Sequence, residues 1–206
     1  MRLSCRADSM AGVRMTFLPK RSVGMSNRRS QGLCFASWLI VVAFTGVPGF
    51  AEIHTFTTTL SGANENPSVL SGGTGFARVT LGTAAHTLSI SVTFSGLSGP
   101  TSASHIHCCV APPANAGVAT TTPTFTGFPL GVTAGSYLHS FDTTLSSTFN
   151  ATFVTAHGGT ATTAEAALKA GLLAGNAYFN IHTNTFPGGE IRGFLKTLTF
   201  LPIIRK

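Results

Sequence analysis

The sequence predicts an all-β fold, a Greek-key sandwich or barrel of about seven strands with one short helix. Three observations predict it. Leu88, Ile90, Val92 and Phe94 alternate strictly with Thr87, Ser89, Ser91 and Thr93, the period of a half-buried antiparallel strand with one wet face. Short runs of β-branched and aromatic residues recur between Gly- and Pro-containing turns. Ser and Thr, rather than Lys and Glu, occupy the polar positions of those runs.

Taken in order, residues 53–61 (IHTFTTTLS) read as a first strand around β-branched residues, and Gly62 to Gly73 as a loop. Thr74 to Leu81 is a second strand, with Ala77, Val79 and Leu81 on one face and Phe76, Arg78 and Thr80 on the other. It forms a hairpin with the strand His86 to Phe94. Ala103 to Val110 is a fourth strand, and residues 111–135, rich in Pro, Gly and Thr, form a long loop of the kind that tends to be functional. Tyr137 to Thr143 is a fifth strand, and Asn150 to Thr160 reads as irregular. Thr162 and Glu165 match a capping box, followed by Ala164, Ala167, Leu168 and Leu172 at helical spacing. Gly171 weakens that helix and Gly175 ends it. Strands at 177–183 and 190–200 close the domain, with Ile90, Val92, Phe94, Ile106, Phe179, Ile181 and Phe194 predicted in the core.

The formal net charge of +7 does not point to a nucleic-acid partner. Residues 1–29 hold seven basic residues against Asp8, whereas the chain from Glu52 onward carries six basic and five acidic residues. Arg28-Arg29, the apolar run Leu33 to Val47 and Gly49-Phe50-Ala51 form a signal peptide, with cleavage expected after Ala51. The apolar run is short for a membrane span. Residues 1–24 lack apolar periodicity, so Met25 is the expected start and the preceding segment an extension. Export places Cys108 and Cys109 in an oxidising compartment. Their adjacency leaves a strained vicinal disulfide or pairing between chains as the alternatives.

The stretch Ala177 to Leu195, AYFNIHTNTFPGGEIRGFL, reads as strand, turn, strand. Its Tyr178, Asn180 and His182 share one face, and Phe179, Ile181 and Thr183 the other. Phe186-Pro187-Gly188-Gly189 supplies the turn. Together with Ser104-His105-Ile106-His107-Cys108-Cys109 and the Pro/Ala/Gly loop after it, this stretch resembles the CHRD (chordin) domain over roughly Glu52 to Phe200. The resemblance implies a secreted protein and attaches no reaction to it. Exported bacterial proteins resembling this one, the HIHCC variant included, often carry a C-terminal sorting tail. This sequence ends at Leu201-Pro202-Ile203-Ile204-Arg205-Lys206 without one, which favours a freely secreted or periplasmic protein.

His105 and His107 share a strand face while Ile106 points inward, and Ile181 likewise turns His182 outward. If the two strands lie side by side, three imidazoles converge, a donor set that suits a Zn or Cu ion. Glu190, after the turn, is a candidate fourth ligand or outer partner. The His-x-His strand is also similar to that of copper-zinc superoxide dismutases, a fold-level analogy. The competing reading makes the same three histidines ordinary surface residues or hydrogen-bond partners of loop carbonyls, with Glu190 and Arg192 pairing across the turn or capping the loop. His54, His86, His139 and His157 read as solvated.

No G-x-S-x-G elbow, phosphate loop, dinucleotide fingerprint or carboxylate pair is present, so catalysis is not expected. Two functions from different classes follow. The first is a non-catalytic exported module binding an extracellular protein, glycan or matrix component. The second is a metal-binding protein, with redox chemistry open to it, built on His105, His107, His182 and Glu190.

Overall fold

The computed structural model describes residues 52–198. The leader, its cleavage site and the 201–206 tail lie outside the described residues. The fold is all-β, as the alternation requires. Eight strands run antiparallel to their neighbours in one curled sheet: β1 (Ile53–Ser61), β2 (Thr74–Gly82), β3 (Thr87–Ser95), β4 (Thr101–Cys108), β5 (Gly135–Asp142), β6 (Ala177–Thr183), β7 (Ile191–Phe194) and β8 (Lys196–Thr197). Their order is β4-β6-β7-β1-β2-β3-β5, with β8 also pairing β1.

The core follows from period two. Val79 pairs with Ile90, Leu81 with Leu88 and Ala77 with Val92 across the β2–β3 hairpin, and all six side chains are buried. Each fully buried Val, Leu or Ile is worth roughly 1.5–3 kcal/mol, so this hairpin anchors the sheet. The long segment between β4 and β5 closes the interior from the open side. Its Phe125 is 1% exposed and packs against Tyr137 and Phe141 of β5 and Phe179 of β6, with ring centroids 6.2, 5.5 and 5.8 Å away.

Several expectations are corrected. The final strand is two strands, β7 on β6 and β8 on β1. They separate at Leu195, which is buried and donates its N–H to Ala177 O. Phe194 is half-buried instead of in the core. It shares the phase of Arg192, and its neighbours Ile191 and Leu195 take the interior. Asn150 to Thr160, read as irregular, contains α1 (Ala151–Ala156), capped by the Asn150 side chain.

The helix α2 (Ala161–Leu173) is capped two residues earlier than the motif suggested, by Thr160 with Thr163 in a reciprocal box. Glu165 takes no part in that cap. It accepts from Thr143 Oγ1 and pairs with His86 Nδ1 at 2.9 Å. Gly175, at φ +70°, ends the helix as expected.

Gly171 has a tertiary reason. Cys108 and Cys109 form a vicinal disulfide, and a Cβ at position 171 would run into Cys108 Sγ and come within 2.6 Å of Cys109 Sγ. The helix passes so close to the end of β4 that only hydrogen fits. Among the described residues no helix is long and apolar enough to cross a membrane.

Candidate metal centre

β4 and β6 are hydrogen-bonded neighbours, with His105 opposite Asn180 and Ala103 opposite His182. Antiparallel partners share a face. His105, His107 and His182 therefore project to the same side, while Ile106 and Ile181 are fully buried on the other. One nitrogen from each ring can be chosen so that all three lie within 4.8 Å of one another. Ring centroids are 5.8 Å apart for His105–His107, 5.3 Å for His105–His182 and 5.9 Å for His107–His182.

The histidine face is covered, which rules out the reading of His105 and His107 as surface residues. His105 is 6% and His107 8% exposed; His182 is half-buried. The Pro-rich segment after β4 folds back over that face and supplies backbone carbonyls to it. His105 Nε2 donates to Pro123 O at 2.7 Å and His107 Nδ1 to Ala116 O at 3.0 Å. In the turn before β7, Pro187 O accepts from His182 Nδ1 at 3.0 Å.

A carbonyl oxygen only accepts, so each of these nitrogens carries the proton. A neutral imidazole has one N–H, and here it is spent. His105 Nδ1, His107 Nε2 and His182 Nε2 are left as lone pairs. His107 Nε2 is buried with no hydrogen-bond partner. His105 Nδ1 and His182 Nε2 face each other at 3.4 Å with no proton between them.

Protonation is a poor remedy. Burial is the main reason that His105 and His107 are pushed down to about 4, with the mutual repulsion of the rings adding to it, and burial also lowers His182. The cluster is thus neutral near pH 7 and electron-rich at its centre. Backbone acceptors fix each ring's tautomer and orientation, the arrangement that tunes histidine ligands. Two nitrogens bound to one Zn at about 2.0–2.1 Å lie roughly 3.4 Å apart in tetrahedral geometry, which is the His105–His182 separation.

Glu190 does not join them. Pairing of Ile181 with Ile191 would set Glu190 opposite His182, but Glu190 precedes β7 and leaves the strand path at Gly189, where φ is +129°. Its carboxylate accepts from Ser71 Oγ and Ser98 N, both at 2.6 Å, and from Thr183 Oγ1 at 2.7 Å. Those bonds hold its pKa below the usual carboxylate range against the opposing effect of burial. Glu190 is a loop-fastening residue, tying the 71–98 region to β6. Arg192 does not pair with it either. Its guanidinium sits 3.7 Å from Glu65 Oε2 and donates to Asn64 O, Asn115 Oδ1 and Pro113 O.

Sequence reasoning missed the residues behind the histidines. Tyr178 stacks on His107 at 4.7 Å with planes 5° apart, and Arg192 lies 4.7 Å from the Tyr178 ring centre. Phase already placed Tyr178 on the histidine face, which was the available signal. Glu65 had none, being far away in the chain. Burial pushes its carboxyl up to about 7 despite Arg192. His54, His86, His139 and His157 stay outside the cluster; His54 pairs with Glu52 and His157 donates to Phe153 O.

A family model described as the CHRD domain matches residues 56–195, well over half of the chain. No curated protein and no solved structure matches it.

Proposed function

This chain belongs to the CHRD-domain family, and within that family we propose a metal-binding β-module that holds one transition-metal ion between His105, His107 and His182. The observation carrying this reading is the tautomer pattern. Three buried or half-buried rings spend their only N–H on backbone carbonyls and turn three lone pairs into one space. A pair of lone pairs at 3.4 Å and a buried, unpartnered Nε2 are costly when left alone and favourable around a cation. An all-imidazole set suits Zn, Cu, Ni or Fe; Ca and Mg prefer oxygen ligands.

The module acts outside the cytoplasm in this reading. The leader-like N-terminus supports that, and so does the vicinal disulfide, which belongs to an oxidising compartment.

Elemental analysis of protein purified without a histidine tag tests the proposal. We expect one equivalent of Zn or Cu after dialysis, lost in His107→Ala and retained in His54→Ala. At about 100 times its Kd the ion should stabilise the fold by roughly 2.7 kcal/mol in urea titrations, reversed by chelator. Equal metal content in His107→Ala and the unmodified protein would overturn the reading.

A further inference from the structure

Three imidazoles are fewer donors than the ions they suit normally take, four being the common minimum for Zn. Among the described residues no other His, Cys, Asp or Glu joins the group. The nearest acid in sequence to His182, Glu190, is held elsewhere by Ser71, Ser98 and Thr183. The Tyr178 hydroxyl is also taken, bonded to the backbone of Ala116 at 3.2 and 3.3 Å.

Resting on the metal reading above, we propose that the bound ion keeps one position open on the His182 side and that a small anion takes it. Exposure sets the direction. His105 and His107 are more than nine-tenths buried, walled by the segment that carries Ala116 and Pro123, whereas His182 is half-buried. Of the three rings' residues, His182 is the least covered, so its side is where the cluster lies nearest to solvent.

Charge sets the class of ligand. Three neutral rings leave a divalent ion with its full charge, and no carboxylate offsets it within the group. Arg192 adds positive potential behind Tyr178, tempered by Glu65 at 3.7 Å. An anionic donor neutralises that charge where a neutral one does not. The ligand is small because two of the three residues keep less than a tenth of their surface free, too little for a larger body to rest on.

The test uses tag-free full-length protein loaded with one equivalent of Cu(II) and titrated with azide. An open position yields a new azide-to-copper charge-transfer band that saturates at one azide per copper. His54→Ala should behave as the unmodified protein, and His182→Ala should lose the band with the copper. Copper retained at one equivalent with a spectrum blind to azide would overturn the open position and leave the metal reading standing. Copper not retained at all would end both. A band of equal strength in His182→Ala would assign the signal to surface copper and overturn the inference.

Discussion

The imidazole of His107 lies flat on the phenol ring of Tyr178, centroids 4.7 Å apart and planes 5° from parallel. The same tyrosine bonds through its hydroxyl to the backbone of Ala116, whose carbonyl accepts from His107 Nδ1. Tyr178 thus fixes both the plane of the ring and the acceptor that orients it. Two restraints on one ring are what separate a preorganised site from a loose one.

Tyr178→Ala should therefore weaken metal binding about 10–100-fold while leaving all three ligands in place, the usual effect of removing an orienting partner. Tyr178→Phe keeps the stack and loses only the Ala116 bonds, so its loss should be smaller. Competition against a chromophoric chelator measures both. An unchanged Kd in Tyr178→Ala would show that β4 and the Ala116 carbonyl orient His107 without the tyrosine.

Metal-free protein should lose stability as pH falls from about 6.5 towards 4. Burial holds His105 and His107 at about 4 in the fold, against an ordinary value of roughly 6.5. In that window the unfolded chain takes up protons that the folded chain does not, so folding is favoured above it and disfavoured on descent. Each ring contributes on the order of 3 kcal/mol by this difference. Glu65 works the other way: its carboxyl is pushed up to about 7, so its contribution weakens as pH rises and makes the net slope shallower. Urea unfolding at pH 7 and 4.5 measures the balance, and a steeper acid loss is expected in Glu65→Gln. Equal stability at both pH values in Glu65→Gln, where the opposing carboxyl is gone, would mean that the rings are not buried as neutral species.

Gly171→Ala should lower stability, although in an exposed helix interior the same change would raise it by about 1 kcal/mol. The added methyl meets both sulfurs of the Cys108–Cys109 disulfide, so either the helix or the end of β4 must move. Because β4 carries His107, metal affinity should fall as well. A higher denaturation midpoint would show that α2 does not press on the disulfide.

Secreted protein should begin at Glu52, after the apolar run and the Gly49-x-Ala51 site. Mass spectrometry of material from the medium or periplasm settles the residue. Chains retaining Phe50 or anything before it would sink this cleavage site.

By itself the sequence determined which side of β2, β3, β4 and β6 was apolar, though not of β7, where Phe194 lies on the Arg192 face. Period two is a local property: Ile106 and Ile181 send their neighbours His105, His107 and His182 the other way whatever surrounds them, and the structure keeps that phase. It also determined the hairpin of β2 and β3, whose alternation and turn lie within one short stretch. Only the tertiary structure decided what covers the histidine face. The segment carrying Ala116 and Pro123 is Pro-rich and aperiodic, so nothing local said which of its carbonyls would turn onto the rings. The fate of Glu190 was equally out of reach. Its partners Ser71 and Ser98 stand about a hundred residues away in the chain, and a carboxylate goes to whichever donors the fold brings to it. The same holds for Gly171, a poor helix residue by propensity, retained because a disulfide on another strand occupies the space its side chain would need.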